Sequence, residues 1–191
     1  ELRPRETQGA SVPVPGFGTW QLSGDEVLEI LPQALEMGYR HIDTAEAYDN
    51  EAEIGTCLEE SDIPRQEIFL ASKISPRHYI SGDFRLTVEA ILKRLRTDHL
   101  DLLLLHWPAF RGTTLEATIE RLNAVRDEGL VLHIGVSNFT IELLDRAWSA
   151  TTHPLAVNQV EYHPFLDQDK VLAEMEGREM ILAAYSPLAQ G

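Results

Sequence analysis

The chain has 191 residues, of which 43% are hydrophobic and 25% are charged, values typical of one globular domain with a single sizeable core. The net charge of −15 argues against nucleic acid and anionic membrane surfaces as partners, because phosphate binding requires clustered lysine and arginine. Cys57 is the only cysteine, and no apolar run reaches membrane-spanning length. These features predict a cytoplasmic protein without an internal disulfide.

Short apolar runs alternate with longer stretches of helical periodicity along the chain. Seven of these runs are predicted as strands, and a hairpin around Gly9 precedes the first. The predicted strands cover residues 16–20, 41–45, 68–74, 100–107, 133–138, 155–162 and 181–185. The near-continuous leucines of the fourth run are typical of a parallel strand that is buried on both faces.

The stretches between the strands predict helices with one apolar face. They cover residues 26–37, 50–59, 84–96, 113–129, 140–150 and 168–175. Pro32 lies inside the first helix, which is therefore expected to kink there or to have a short first half. Asn50 is predicted to cap the second helix, and Thr113 with Glu116 forms a capping-box pattern at the start of the fourth.

Repeated βα units imply a parallel sheet, and two architectures contain one. Polar residues follow successive strands about every 30 positions, as in a closed (β/α)8 TIM barrel, which carries its active site at the carboxyl ends of the strands. The alternative is an open doubly wound sheet, which normally shows a Gly-x-Gly-x-x-Gly turn after its first strand. The stretch 16–21 lacks the third glycine, so we predict the α/β barrel.

The predicted barrel is one strand short. A full (β/α)8 barrel usually takes about 250 residues, and only seven barrel strands are predicted here. We therefore expect residues 1–191 to form a single barrel domain whose last strand and helices are missing from this chain.

Four polar residues near successive strand ends could act on a carbonyl group: Asp43, Tyr48, Lys73 and His106. A tyrosine phenol normally holds its proton until about pH 10, but a neighbouring ammonium group stabilises the phenolate. Tyr48 is therefore the candidate acid, with Lys73 beside it and Asp43 holding the lysine. A neutral His106 would orient the carbonyl oxygen. The hydride must come from a nicotinamide cofactor, because no side chain supplies one.

A second group follows the later strands. Ser137, Asn138 and Gln159 could hydrogen-bond a carboxamide, and Tyr185 could stack under a flat heterocycle. Trp20 and Trp107 also lie at strand ends. They are predicted to wall a substrate pocket together with Tyr48 and His106, and the alternative is that they only plug the top of the barrel.

Several motifs resemble the aldo-keto reductase family in the right order. They are GYRHIDTAEAYDNE at 38–51, LLHWP at 104–108, IGVSNF at 134–139, NQVEYHP at 158–164 and AYSPLAQG at 184–191. The two tryptophans and the short loop 109–114 look most like the bacterial diketogluconate-reductase-like members. The resemblance extends over nearly the whole chain and implies a (β/α)8 barrel.

The resemblance also implies roles for individual residues. Tyr48 would be the proton donor, Lys73 and Asp43 would tune it, and His106 would orient the substrate. The residues implied at the cofactor are Gly18, Thr19, Asp43, Ser137, Asn138, Gln159, Tyr185, Ser186 and Leu188. The implied cofactor is NADP(H), the implied partner is a small carbonyl substrate, and the protein is expected to be a monomer. The family's basic stretch for the adenosine 2′-phosphate lies beyond the seventh strand, where this chain has ended.

Two other functions stay open at this point. A metal-assisted hydrolase could use Asp43, His106, Glu161 and His163, although no His-x-His or His-Glu-x-x-His spacing supports it, and we predict no metal site. A non-catalytic protein could bind the nicotinamide cofactor as a sensor or partner subunit. The complete quartet favours the enzyme.

Overall fold

The computed structural model describes residues 3–80 and 82–190. Within these ranges the chain forms nine strands and six α-helices. The strands are β1 (Arg5–Thr7), β2 (Ala10–Val12), β3 (Gly16–Gly18), β4 (His41–Asp43), β5 (Phe69–Ile74), β6 (Leu100–Leu105), β7 (Val131–Ser137), β8 (Leu155–Glu161) and β9 (Ile181–Tyr185). The helices are α1 (Gly24–Glu36), α2 (Glu51–Glu60), α3 (Asp83–Arg94), α4 (Leu115–Asp127), α5 (Ile141–Ala150) and α6 (Asp169–Gly177).

Strands β3 to β9 form one parallel sheet in which every strand pairs with its neighbour in the sequence. A doubly wound sheet would reverse its strand order part-way, so that alternative is wrong and the (β/α) barrel fold is confirmed. Because all seven strands run the same way, their carboxyl ends lie along one edge. The strand register brings Gly18 level with Asp43 and Lys73 level with Leu104.

The hairpin predicted around Gly9 is present as β1 and β2. Its turn forms hydrogen bonds with the segment before β9. Thr7 Oγ1 donates to the Glu179 carbonyl, and Gln8 Nε2 donates to the Arg178 carbonyl at 3.0 Å. Ala10 of β2 packs in a small apolar cluster with inward residues of β5, β6 and β8. The hairpin therefore covers the amino-terminal side of the sheet's inner face.

Strand β6 shows how the sheet buries both of its faces. Leu102 and Leu104 belong to the small inner cluster, whereas Leu103 and Leu105 belong to the large cluster shared with the helices. Side chains alternate between the faces of a strand, so a run of leucines is required where both faces are dry. Burial of one such side chain contributes about 1.5–3 kcal/mol.

Two local predictions about helix starts are wrong. Thr113 does not cap α4, because its hydroxyl accepts from Arg121 Nη1 at 2.9 Å, and Thr114 caps the helix by accepting from Ala117 N at 3.1 Å. Asn50 does lie at the N-cap position of α2, but its side chain makes no capping bond. Its amide instead donates to the carbonyls of Thr19 and Leu22 at 2.9 Å.

The remaining boundaries agree closely with the sequence. Helix α1 is continuous through Pro32, so of the two alternatives for this helix the short first half is wrong. Ser23 and Glu26 form a true capping box at its start.

No helix in the described ranges combines the length and the apolar character that a membrane crossing needs.

The contact between α2 and α3 leads to a stability prediction. A Cβ atom at Gly55 would meet the Arg94 carbonyl oxygen and would lie 2.8 Å from the Leu95 carbonyl carbon. Backbone cannot move aside as a flexible side chain does, so Gly55→Ala should lower the free energy of unfolding by about 1–3 kcal/mol or more. Urea unfolding followed by circular dichroism measures this change.

Gly177 provides the matched control, because it also lies in a helix but has no described atom within 4 Å of the position that a Cβ would take. Gly177→Ala should leave stability unchanged or raise it by about 0.5–1 kcal/mol through the higher helix propensity of alanine. Equal effects of the two substitutions would contradict the close packing of α2 on α3.

Candidate active site

The predicted quartet meets at the carboxyl ends of β4, β5 and β6. Asp43 is the last residue of β4, Lys73 is the fifth residue of β5, and His106 directly follows β6. Tyr48 ends a short 3-10 turn, Glu46–Tyr48, that follows β4. Parallel strand order alone brings the first three together, and the turn brings the phenol over them.

Lys73 is the centre of the group. Its side chain is 1% exposed, and its ammonium pairs with the Asp43 carboxylate. The same Nζ donates to the Thr44 carbonyl at 3.0 Å and lies 3.3 Å from the Tyr48 hydroxyl oxygen. A buried cation is tolerated only with such a set of oxygen partners.

These partners also decide the charge of Lys73. Burial by itself lowers the pKa of a lysine, but the Asp43 carboxylate and the Tyr48 oxygen outweigh that effect and hold the pKa of Lys73 above its ordinary value. The lysine is therefore a fixed positive charge at neutral pH, in contact with the phenol that the sequence indicates as the acid.

His106 has the opposite electrostatic behaviour. Burial, together with the nearby charge of Lys73, lowers the pKa of His106 to about 4, so its imidazole is neutral at pH 7. Its ring centroid lies 5.8 Å from that of Tyr48, with an interplanar angle of 76°. A neutral imidazole beside a phenol can donate one hydrogen bond to an oxygen that also faces the phenol.

The second predicted group is joined to the first by hydrogen bonds. Gln159 Nε2 donates to Asp43 Oδ2 at 2.8 Å, and Asn138 Nδ2 donates to the His106 carbonyl at 3.1 Å. Ser137 Oγ donates to the Gln159 carbonyl at 2.9 Å. One continuous network therefore connects the ends of β4 to β8.

Tyr185 closes this network at β9. Its hydroxyl donates to Asn138 Oδ1 at 2.9 Å. Burial and the nearby Glu161 raise the pKa of Tyr185, so the hydroxyl stays protonated as a donor. Asn138 has a positive φ of 63°, a conformation that asparagine tolerates better than most residues.

The other predicted residues surround the network without all joining it. Thr19 is buried, and its backbone N–H donates to the Asp43 carbonyl at 3.0 Å. Trp20 and Trp107 each lie two residues after a strand, β3 and β6, and are 51% and 47% exposed, so their role as walls of a substrate pocket stays a prediction. Ser186 and Leu188 lie in the turn after β9, outside the network, and Leu188 is 81% exposed.

Sequence reasoning missed two contributors to the site. The Thr44 carbonyl accepts from Lys73. Every residue has a backbone carbonyl, so the residue type at position 44 could not indicate this contact. The Glu46 carboxylate, two residues before Tyr48, pairs with Arg77 and lies 3.3 Å from His78 Nε2. Its acidic type alone did not distinguish it from the many surface carboxylates of this chain.

The residues proposed for a hydrolase do not form a metal cluster. Glu161 and His163 approach each other to 3.3 Å. Across residues 3–80 and 82–190, however, no group of three or more His, Cys, Asp or Glu side chains is arranged to hold a metal ion. The Asp43 carboxylate instead accepts hydrogen bonds from Lys73 and Gln159.

Comparison with known proteins assigns these motifs to one family. The family model for the aldo/keto reductase family matches residues 16–191. The chain belongs to the aldo/keto reductase family. Methylglyoxal reductase DkgB of Escherichia coli O157:H7 is 38% identical over 183 residues, which cover 95% of this chain and 68% of that protein.

Solved structures of aldo/keto reductases agree in fold. The crystal structure of a protein assigned as a 2,5-diketo-D-gluconic acid reductase B has a TM-score of 0.97 and 46% identity, and the match covers 100% of this chain and 68% of that one. The aldose reductase of Schistosoma japonicum has a TM-score of 0.93 and 32% identity, covering 99% and 70%. The resemblance to this family and its diketogluconate-reductase-like members is confirmed.

This aldo/keto reductase chain is shorter than its relatives. It spans between 61% and 70% of the length of the curated relatives that it matches. The aligned part contains the whole quartet and the network around it.

The low pKa of His106 gives a prediction for this aldo/keto reductase. The unfolded chain binds a proton at the ordinary pKa of 6.5, but the folded site does so only near 4. The stability that neutral His106 contributes is therefore fully present above pH 6.5 and is lost as the pH falls towards 4. His106→Gln should show a smaller loss of unfolding free energy over this interval.

Urea unfolding at several pH values measures this difference between the two proteins. Nuclear magnetic resonance of the histidine rings tests the cause directly, because His106 should titrate near pH 4. A midpoint near 6.5, or identical stability profiles, would contradict the burial of the imidazole.

Proposed function

We propose that this protein reduces small aldehydes or ketones to alcohols, with hydride from NADP(H) and with Tyr48 as the proton donor. The observation that carries the proposal is the contact of the Tyr48 hydroxyl with the buried Lys73 ammonium, 3.3 Å from oxygen to nitrogen. Membership of the aldo/keto reductase family supports carbonyl reduction as the reaction class.

The phenol can act as an acid because of its neighbour. When the Tyr48 O–H bond breaks, the proton goes to the carbonyl oxygen and the electron pair stays on the tyrosine oxygen. The Lys73 ammonium meets that developing negative charge in a buried setting, where charge interactions are stronger than in water. Asp43 keeps the ammonium in place and charged.

His106 supplies orientation. As a neutral imidazole it donates a hydrogen bond to the substrate oxygen without adding a second positive charge beside Lys73. The oxygen is then held between an N–H group and the phenol O–H, which fixes the direction of proton transfer. Trp20 and Trp107 follow β3 and β6 and are about half exposed, and walls of this apolar kind would suit small organic carbonyl compounds.

The residues present suit a nicotinamide cofactor. Gln159 Nε2 is bound to Asp43, and its Oε1 meets no donor within the described chain, which leaves this oxygen free to accept from a carboxamide N–H. The partly buried Tyr185 ring offers a flat face for stacking. Bound reduced nicotinamide would supply the hydride to the carbonyl carbon.

The choice of NADP(H) over NAD(H), the monomeric state and the cytoplasmic location are parts of this proposal that come from the sequence. The buried, unpaired Cys57 is in keeping with a reducing compartment. Parallel titrations with the two cofactors, size-exclusion chromatography and cell fractionation test these three points one by one.

Substitution of the acid tests the mechanism. Tyr48→Phe should lower the turnover of an aldehyde by roughly 10²–10⁴-fold, the usual contribution of a positioned proton donor. Cofactor affinity should be unchanged, because the ring and its contacts remain. Consumption of NADPH and quenching of tryptophan fluorescence measure the two quantities.

Tyr39→Phe is the matched control, since the Tyr39 ring packs on Phe17 and Tyr39 lies before the amino end of β4, whereas the quartet lies at the carboxyl ends of the strands. It should keep full activity. Tight cofactor binding by the unmodified protein without turnover of any aldehyde would favour the sensor alternative. Turnover by Tyr48→Phe within a few-fold of the unmodified protein would refute the acid assignment.

A pair of substitutions at Tyr185 tests the cofactor side. Tyr185→Leu removes the stacking face and should weaken cofactor binding about tenfold, equivalent to about 1.4 kcal/mol. Tyr185→Phe keeps the face and loses only the bond to Asn138, so it should change affinity by less than about threefold. Equal effects of both substitutions would contradict stacking as the role of the ring.

A further inference from the structure

Tyr79 is a buried tyrosine that belongs to neither predicted group. It lies directly after the 3-10 turn Pro76–His78 that follows β5, and its side chain is 0% exposed. Its hydroxyl donates to the Trp107 carbonyl at 2.9 Å and accepts from the Trp107 backbone N–H at 3.4 Å. One phenol therefore satisfies both polar backbone groups of the residue that follows His106.

The Tyr79 ring is held by other aromatic side chains. It packs at 5.9 Å from Phe110 and at 6.4 Å from Phe84, measured between ring centroids. Phe110 in turn meets the edge of Phe139, the residue after Asn138. The ring thus links the loops that follow β5, β6 and β7.

Its backbone is held as well. Arg121 Nη1 on α4 donates to the Tyr79 carbonyl at 2.6 Å and to Thr113 Oγ1 at 2.9 Å. Burial raises the pKa of Tyr79 well above its ordinary value, so the hydroxyl keeps its proton and remains a donor at neutral pH. The phenol is therefore a rigid and permanent partner for the Trp107 backbone.

The backbone of His106 itself has different partners. Its N–H donates to the Ile74 carbonyl at 3.1 Å, and its carbonyl accepts from Asn138 Nδ2 at 3.1 Å. Every polar backbone group of residues 106 and 107 is thereby bonded, although neither residue lies in a strand. Tyr79 bonds both groups of the second residue, whose carbonyl also accepts from the Ala109 backbone N–H at 2.9 Å.

We propose that Tyr79 is a positioning residue, which fixes the backbone after β6 so that the His106 imidazole faces Tyr48 and the substrate oxygen. The proposal rests on the proposed function for the part that concerns substrate. The position of the imidazole can be measured without any reaction, so the two proposals can be tested separately.

The first test follows the His106 ring by nuclear magnetic resonance in Tyr79→Phe. This substitution keeps the aromatic packing and removes the hydroxyl, so residues 106 and 107 should loosen and water should reach the imidazole. The His106 midpoint should then rise from about 4 towards 6.5. The other charges that act on this imidazole, those of Lys73, Asp43 and Glu46, are unchanged in the variant.

Two further variants keep the test decisive. Phe84→Leu disturbs the same aromatic cluster but keeps the Tyr79 hydroxyl, so it should lower thermal stability and leave the His106 midpoint in place. Arg121→Met removes the hydrogen bond to the Tyr79 carbonyl. It should shift the His106 midpoint in the same direction as Tyr79→Phe, by a smaller amount. An unchanged midpoint in Tyr79→Phe would overturn the proposal, whatever Arg121→Met shows.

The second test is kinetic. Tyr79→Phe removes both bonds to the Trp107 backbone and should lower kcat/KM for an aldehyde about tenfold, with cofactor affinity unchanged. In a His106→Gln background the same substitution should cost less than about twofold, because the residue that it positions is gone. A full tenfold cost in that background would show that Tyr79 acts independently of His106 and would also overturn the proposal.

The two tests separate the possible failures. If the unmodified protein reduces no aldehyde, the proposed function fails, and the His106 titration still decides whether Tyr79 positions the imidazole. If aldehyde reduction is present and Tyr79→Phe changes neither the titration nor kcat/KM, only the positioning role fails.

Discussion

One buried positive charge constrains the carboxyl edge of this sheet. The Lys73 ammonium is almost completely removed from water, and an unpaired charge in that position would cost several kcal/mol. Its three oxygen partners come from the end of β4 and from the turn that follows it. The buried Lys73 ammonium on β5 requires these oxygen partners, and this requirement constrains the backbone conformation after β4. The same requirement brings the Tyr48 phenol next to Lys73.

The constraint spreads from Asp43 to the other half of the sheet. The carboxylate that neutralises Lys73 uses its second oxygen to accept from Gln159, and hydrogen bonds through Ser137 and Asn138 continue to the His106 carbonyl and to Tyr185. The proposed acid and the proposed cofactor contacts thus share one network. Networks of this kind respond as a unit when a member is removed, which explains why a clean separation of acid and cofactor effects needs variants that leave the shared bonds intact.

The sequence was sufficient for the fold and for the meeting of the four quartet residues at one edge, because both follow from patterns along the chain. Alternating burial explains the leucines of β6, and parallel order brings Asp43, Lys73 and His106 to one edge. The partners of individual polar groups were not predictable. Gln159 and Asp43 are 116 positions apart, and an amide side chain is equally suited to a cofactor or to a carboxylate. Asn50 and Thr113 failed as caps for the same reason, since distant groups offered them other bonds.

Lys73 and His106 are both basic and share one site, yet their environments drive them to opposite charge states. Burial acts against charge on both. The Asp43 carboxylate contacts Lys73 and keeps it charged. Burial and the positive charge of Lys73 both disfavour the protonated form of His106, which is therefore neutral. Such divergence between neighbouring titratable groups is what assigns their roles. In the proposed mechanism the charged group would stabilise the phenolate, and the neutral one would donate a hydrogen bond to the substrate oxygen. If the imidazole were charged as well, it would compete with Tyr48 as the proposed acid, so the proposed roles require that the backbone after β6 hold the imidazole where burial keeps it neutral.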